Sequence, residues 1–193
     1  MLTLRKLGAA AGVAAPVLAF ICISFAILSY PAFSWTENAL SDLGVVEGAP
    51  MTVFNLGLVI TGTLAVVFAA GVFSYSEGNV TGKVGSAIFA TACVALLCIG
   101  IFNEHYSPTH YIVSVAFFSL APIAFFILTS AFYLKGNRRL ALFSVALGVV
   151  AATPWILQFT INYVPNVAIP EAISAGAIGV WAVAVSATIL RKS

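Results

Sequence analysis

The stretch Thr52–Phe73, TVFNLGLVITGTLAVVFAAGVF, contains no Asp, Glu, Lys or Arg, and it decides the fold class. A helix that spans a membrane needs roughly 20 apolar residues, so this run is long enough to cross a bilayer. Five further apolar runs of similar length lie on either side of it, and only the last contains a charged residue, Glu171. They are Leu7–Ser29, Val84–Phe102, Tyr111–Leu134, Leu140–Ile161 and Val167–Leu190. The sequence therefore predicts an all-α fold, a single domain over residues 1–193 with six transmembrane helices.

The amino-acid composition also indicates that the protein lies in a membrane. Of the 193 residues, 62% are hydrophobic and only 7% are charged. A soluble domain carries roughly 25% charged residues. This chain has too few to cover a surface that faces water, so we expect membrane lipids to be its main partners.

The charged residues sort by side when the chain is taken across the bilayer at each apolar run. All eight basic residues then fall on one side, whereas five of the six acidic residues and both histidines fall on the other. The positive-inside rule predicts a multi-pass protein of the cell membrane with both termini in the cytoplasm. Basic residues scattered beside helix ends are typical of topology signals, so nucleic-acid binding is not expected. The basic residues are Arg5, Lys6, Lys83, Lys135, Arg138, Arg139, Arg191 and Lys192.

The first apolar run has some features of a cleaved signal peptide. Arg5 and Lys6 precede it, and Ala32-Phe33-Ser34 follows it as a possible cleavage site. The run is nevertheless longer than the usual apolar region of about 7–15 residues in a signal peptide. We therefore expect it to be retained as the first helix.

The first loop on the acidic side contains a short helical signal. In Thr36–Gly44, Thr36 is a suitable N-cap and Gly44 a suitable stop, so a short interfacial helix is predicted. A spacing of four residues would place Asn38 beside Asp42. Ser41 and Asp42 are candidate catalytic residues, and Asn38 is a candidate binding residue.

The second loop on that side, Asn103–His110, is dense in residues that can bind metals. Glu104, His105 and His110 lie within it, although the H-E-x-x-H spacing of zinc enzymes is absent. Together with Asp42 these side chains predict two alternatives. One is a mixed nitrogen and oxygen site for a divalent metal, with Asp42, His105 and His110 as ligands. The other is a hydrogen-bonded cap, with His110 at the start of a helix.

Two amides complete the set of candidate residues. Asn55 lies near the acidic end of the second predicted helix, at the level of the two loops. Gln158 lies in the fifth, and an amide in lipid is costly, so it should face the bundle interior. Either a helix–helix hydrogen bond or a ligand contact would satisfy it. Asn38, Asn55, Glu104 and Gln158 are thus candidate binding residues, and Asp42, His110 and Ser41 are candidate catalytic residues.

Small residues at a spacing of four mark close helix packing. Lipid supplies no hydrophobic drive between helices, so close approach needs small side chains. Such pairs are Gly8 with Gly12, Ala172 with Gly176 and Ala175 with Gly179. We expect them to pack within the bundle. The alternative is contact with a second copy or with a membrane partner.

Several motifs resemble a family of small prokaryotic membrane proteins known as domain of unknown function 998. Its members show Ser-Asp-Leu-Gly after the first helix, Asn-x-Gly at the start of the second, Gly-x-Phe-Pro at the end of the third and His at the start of the fourth. The resemblance covers nearly the whole chain, although Asn103 replaces the Pro. It implies six membrane helices and no established activity. The matching residues are Ser41-Asp42-Leu43-Gly44, Asn55-Leu56-Gly57, Gly100-Ile101-Phe102 and His110.

Three functions are compatible with this sequence. A non-catalytic membrane or partner-binding protein needs only the helices and a polar cap. An enzyme acting on a lipid or amphiphile, including a metal-assisted hydrolase, would use Asp42 and His110 as metal ligands or acid–base groups, with Ser41 positioning the substrate. A small-molecule transporter would use proline-bent helices and Gln158. No cofactor is established by any motif, and a divalent metal is the one that the ligand types allow.

Overall fold

A computed structural model describes residues 4–191 as six long helices joined by short connections. All six are long and apolar enough to cross a membrane, and no β-strand occurs within these residues. The predicted all-helical class and the six spans are therefore confirmed, with every boundary within four residues of its expected place. Lys192 lies outside the described residues. The helices are α1 (Leu4–Leu28), α2 (Ala49–Tyr75), α3 (Val80–Ile101), α4 (Thr109–Leu134), α5 (Arg138–Ile161) and α6 (Ala168–Arg191).

The helices form a ring in chain order. Each packs on the next along the sequence, and α6 closes the ring by packing on α1. The Arg5 guanidinium donates to the carbonyl of Ser74 at 2.9 Å and to the Glu77 carboxylate at 2.8 Å, which places the start of α1 beside the end of α2. The Lys135 ammonium donates to the carbonyl of Tyr75 at the same end. We call this the basic end, and the opposite one, where residues 29–48, 102–108 and 162–167 connect the helices, the acidic end.

Four aromatic rings fill the centre of the ring of helices. The Trp181 indole stacks on Phe125 with centroids 4.1 Å apart, and it meets Phe89 at 5.1 Å and Phe68 at 6.0 Å. Its Nε1 donates to the Ser144 hydroxyl at 2.9 Å, so the one polar atom of the indole is satisfied. We call these four rings the aromatic plug. It lies in the half of the bundle nearer the basic end, since Phe68 is about two turns from the end of α2.

Most of the predicted small-residue contacts lie inside the bundle. A Cβ atom on Gly8 would lie 2.6 Å from the Cα of Gly71, so α1 and α2 touch backbone to backbone here. Gly176 differs, because a Cβ there would meet nothing within 4 Å. The expected packing of Gly176 against another helix is therefore not seen, and the alternative, contact with a second copy or a membrane partner, stays a prediction. Of the four glycines in the predicted pairs, three are packed within the bundle, Gly8, Gly12 and Gly179.

The predicted interfacial helix over Thr36–Gly44 is largely absent. Only its last four residues form a helical turn, a single 3-10 turn. The carbonyls of Thr36 and Asn38 accept hydrogen bonds from the amides of Asn166 and Ala168, each at 3.0 Å. These carbonyls therefore accept hydrogen bonds from a distant segment at the acidic end and not from residues of their own loop. The first loop is fixed by the start of α6.

Candidate functional site

A cavity of about 300 Å³ opens at the acidic end, between α4, α5, α6 and the two loops. This volume is at the lower limit of ordinary ligand sites, which span about 300–1,000 Å³. We call it the polar-headed cavity, with a polar wall of residues from the two loops and the first turns of α4 and α6 and an apolar wall of residues from α4 and α5. The polar wall carries Ser41, Asp42, Glu104, His110 and Glu171. The apolar wall carries Tyr111, Val115, Phe118, Trp155 and Phe159.

Asp42 is held by its own loop. One carboxylate oxygen, Oδ2, accepts the amide of the Asn38 side chain at 2.7 Å and the backbone amide of Ala39 at 3.0 Å. The predicted proximity of Asn38 and Asp42 is thus confirmed, although a turn rather than a helix produces it. Both donors act on the same oxygen, so the carboxyl group is held in one orientation. Asn38 therefore acts on the cavity by orienting Asp42.

Glu104 connects the two loops. It lies in the 3-10 turn Glu104–Tyr106, and its Oε1 accepts the Ser41 hydroxyl at 2.7 Å. Burial raises the pKa of Glu104 above its usual value, and the charge of nearby Asp42 raises it further, while the hydrogen bond from Ser41 acts in the opposite direction. Two predicted catalytic residues, Ser41 and Asp42, thus act on the pKa of one predicted binding residue, Glu104.

His110 is fixed by one ring nitrogen. Its Nδ1 lies 2.7 Å from the carbonyl oxygen of Phe102. A carbonyl only accepts, so Nδ1 must carry the proton in this contact. Nε2 is left with the Ser114 hydroxyl at 3.4 Å, a long and weak contact, and both side chains line the polar-headed cavity. The arrangement leaves Nε2 available to a molecule bound there.

Glu171 is a site residue that sequence reasoning did not select. It lies in the first turn of α6, is only 7% exposed, and its Oε2 accepts the backbone amide of Leu40 at 2.6 Å. The carboxylate thus holds the first loop while forming part of the cavity wall. A signal for it existed, because it is the one charged residue inside a predicted span. Ionisable residues within membrane helices usually serve a function.

Asn55 builds the frame around the cavity rather than its wall. Its Nδ2 donates to the carbonyl of Gly44 at 2.9 Å, and the Nδ2 of Asn103 donates to the same oxygen at 3.2 Å. A Cβ on Gly44 would lie 2.6 Å from the Asn55 Oδ1, so a larger residue there would displace the Asn55 side chain. Asn103, which replaces the expected Pro, is therefore part of the junction.

Like Asn38 and Asn55, two further predicted site residues do not line the cavity, Gln158 and His105. The Gln158 side chain faces the interior, as predicted, but its Nε2 donates to the Asn162 Oδ1 and the carbonyl of Val164, each at 2.8 Å. It secures the end of α5. His105 is exposed and does not line the cavity, whereas Asp42 and His110 do.

The predicted metal site is therefore brought together only in part. Between residues 4 and 191 no group of three or more His, Cys, Asp or Glu side chains is placed so that it could hold a metal ion. The cavity wall supplies Asp42 and His110, and the third predicted ligand, His105, points elsewhere. A metal-binding role for these residues stays a prediction.

The comparison with known families agrees with the motifs that meet at this end. Residues 13–188 match the family described as "Protein of unknown function (DUF998)". The chain belongs to the DUF998 family. No curated protein and no solved structure matches it. In this DUF998 protein, Gly57 packs against the Cys22 side chain and Gly100 against the carbonyl of Asn55, each with 2.6 Å to a Cβ placed on the glycine. The motif glycines thus allow the close approach of helices that frames the cavity.

Proposed function

We propose that this protein binds a small amphiphile with a cationic polar group in the polar-headed cavity. The observation that carries the proposal is the pairing of its two walls. Three carboxyl groups, those of Asp42, Glu104 and Glu171, belong to the polar wall, and aromatic and aliphatic side chains make up the apolar wall. A molecule with an amine at one end and hydrocarbon at the other matches both walls.

The charge of the cavity favours a cation. Among the described residues that line it, three are acidic, one is His and none is Lys or Arg. Attraction between opposite charges is stronger in a partly buried site than in water. A bound ammonium would also favour the ionised form of Glu104, because an opposite charge nearby lowers the pKa of a carboxyl group.

The apolar wall provides a route from the lipid. Phe159 is 70% exposed and Tyr111 is 61% exposed, on helices whose exposed surface is apolar. An amphiphile dissolved in the bilayer can therefore reach the cavity sideways. Trp155 lies behind them, and its Nε1 has no hydrogen-bond partner within residues 4–191. An acceptor atom on the ligand would satisfy this buried donor.

An enzyme that acts on such an amphiphile is the second candidate. The observation in its favour is the orientation of His110, whose Nδ1 is fixed by the Phe102 carbonyl at 2.7 Å. Nε2 is then suited to take a proton as a general base. His110→Gln should abolish turnover of a long-chain ester or amide while leaving its binding intact. Transport is less favoured, because the aromatic plug fills the centre of the bundle.

We also propose that the basic end lies in the cytoplasm of a cell-membrane protein. The seven described basic residues all lie at that end, and the cavity would then open in the outer leaflet. Glu47→Cys and Glu77→Cys place thiols in exposed loops at opposite ends. An impermeant maleimide added to intact cells should label only Glu47→Cys. Labelling of Glu77→Cys instead would reverse the orientation.

Binding itself is tested with dodecylamine and protein in lipid nanodiscs. Trp155 is the reporter, so its fluorescence should change on binding and the signal should be lost in Trp155→Phe. Asp42→Asn and Glu104→Gln should weaken binding, whereas Glu47→Gln, an exposed carboxyl group outside the cavity, should not. Equal binding of dodecanoate, which has a negative head group, would contradict the proposal.

A further inference from the structure

Two smaller cavities continue from the polar-headed cavity into the bundle. The middle cavity has about 50 Å³ and the lower cavity about 80 Å³. Adjacent cavities share lining residues, so the three form one series. The polar-headed and middle cavities share Ser41, Ser114, Phe118 and Glu171. The middle and lower cavities share Ile23, Leu58, Leu96, Phe117 and Ala175.

Along α6, the residues that line the three cavities are spaced one helical turn apart. On α6, the series runs from Glu171 through Ala175 and Gly179 to Ala182. This spacing of three to four residues keeps them on one face of the helix. At 1.5 Å per residue, Glu171 and Ala182 are separated by about 16 Å along the axis, enough for a medium-length alkyl chain. The series stops at Phe68, which lines the lower cavity and belongs to the aromatic plug.

The chemistry of the lower cavity suits hydrocarbon and not water. Its lining has one polar side chain, Thr61, whose hydroxyl has no hydrogen-bond partner in the described part of the chain. A buried water needs two to four polar partners, and an apolar cavity of comparable size stays dry and accepts apolar ligands. Small residues such as Ala175 and Gly179 leave this space open, although cavities reduce stability.

We infer that the middle and lower cavities hold the end of the alkyl tail of the amphiphile, with the upper part of the tail in the polar-headed cavity and the cationic group at Asp42, Glu104 and Glu171. This inference rests on the proposed function and adds the ligand class, a single-chain cationic amphiphile. The tail runs from the acidic end toward the aromatic plug. Phe68 and Phe89 at the bottom set the longest tail that fits.

The position of the tail is tested by photo-crosslinking. The probe is a dodecylamine analogue with a diazirine at the tail end, bound to the full chain in nanodiscs, and Trp155 fluorescence reports head-group binding. Crosslinks are expected on residues that line the lower cavity but not the middle one, such as Thr61, Phe89 and Ile178. If Trp155 responds but crosslinks appear only on exposed residues outside the three cavities, such as Ile156, the tail assignment fails and the proposed function stands. If Trp155 does not respond, both fail.

A matched pair of variants gives the second arm of the test. Ala175→Leu narrows the junction of the middle and lower cavities, whereas Ala14→Leu adds the same atoms to an exposed position on α1. Ala175→Leu should lose the lower-cavity crosslinks and keep the Trp155 response to ethylamine, which has no long tail. Ala14→Leu should change neither. Lower-cavity crosslinks that persist in Ala175→Leu would overturn the inference. Ala65→Leu, also in the lower lining, replaces Ala175→Leu if that variant does not fold.

Discussion

The Ser41 hydroxyl donates a hydrogen bond of 2.7 Å to Glu104, a residue 63 positions further along the chain. This bond connects the two loops of the acidic end and opposes the effect of burial on Glu104. Removing it changes the acid–base behaviour of the cavity without removing a carboxyl group.

Ser41→Ala should raise the pKa of Glu104 beyond its already raised value. The hydroxyl stabilises the charged form, and without it the protonated form is favoured. Binding of dodecylamine should therefore be lost at a higher pH as the solution is acidified. A pH titration of Trp155 fluorescence measures the midpoint. Ser119→Ala, at another cavity-lining hydroxyl, is the control and should leave it unchanged. A midpoint that moves down in Ser41→Ala would refute this.

Glu104→Gln should stabilise the folded protein at neutral and alkaline pH. Because burial raises the folded-state pKa of Glu104, the folded state holds its proton more tightly than the unfolded state, so stability falls as pH rises through the raised pKa. Gln stays neutral and still accepts the bond from Ser41. The gain in Tm should disappear in acid, below the pKa that the Glu104 carboxyl group has in the unfolded state. Glu47→Gln should show no such pH-dependent gain.

Glu171 should hold the first loop through its oxygen rather than its charge. Glu171→Gln keeps an acceptor for the Leu40 amide, whereas Glu171→Ala leaves that amide unpaired, at a cost of about 1–3 kcal/mol. Hydrogen exchange at Leu40 should be much faster in Glu171→Ala and little changed in Glu171→Gln. Similar exchange in both variants would show that the carboxylate does not fix the loop.

The sequence predicts the helices well because their signal is local. Each span is a continuous apolar run, and the lipid requirement for internal hydrogen bonds leaves helix as the only structure for it. The loop Thr36–Gly44 was predicted less well because its partners, Asn166, Ala168 and Glu171, lie about 130 residues away. Capping preferences describe a segment alone and do not include such partners.

The candidate site was also predicted only in part. Residue type identified Asp42, Glu104 and His110, which do line one cavity. Residue type could not distinguish these three from Asn55 and Gln158, whose side-chain amides donate to nearby backbone carbonyls and do not line the cavity. The apolar wall was missed altogether, since aromatic residues in a membrane helix carry no signal that distinguishes a cavity from lipid.

Gly8→Ala should destabilise the bundle by about 1–3 kcal/mol, because the new methyl group meets the backbone of Gly71 at 2.6 Å and neither helix can yield easily. Gly176→Ala is the matched control. It lies in open space, so the better helix propensity of Ala should stabilise α6 by up to about 1 kcal/mol. Reversible unfolding in mixed micelles measures both. Equal effects would mean that the α1–α2 contact is looser than described.

The ring in chain order has a consequence for how the protein is made. Helices that emerge from the ribosome one after another can each pack on the one before, but the first loop must wait for α6. Its carbonyls at Thr36 and Asn38 and its amide at Leu40 find their partners only when residues 166–171 arrive. A nascent chain that has inserted five helices would thus be a membrane protein without a finished cavity. The proposed ligand would then bind full-length molecules but not chains that stop before α6.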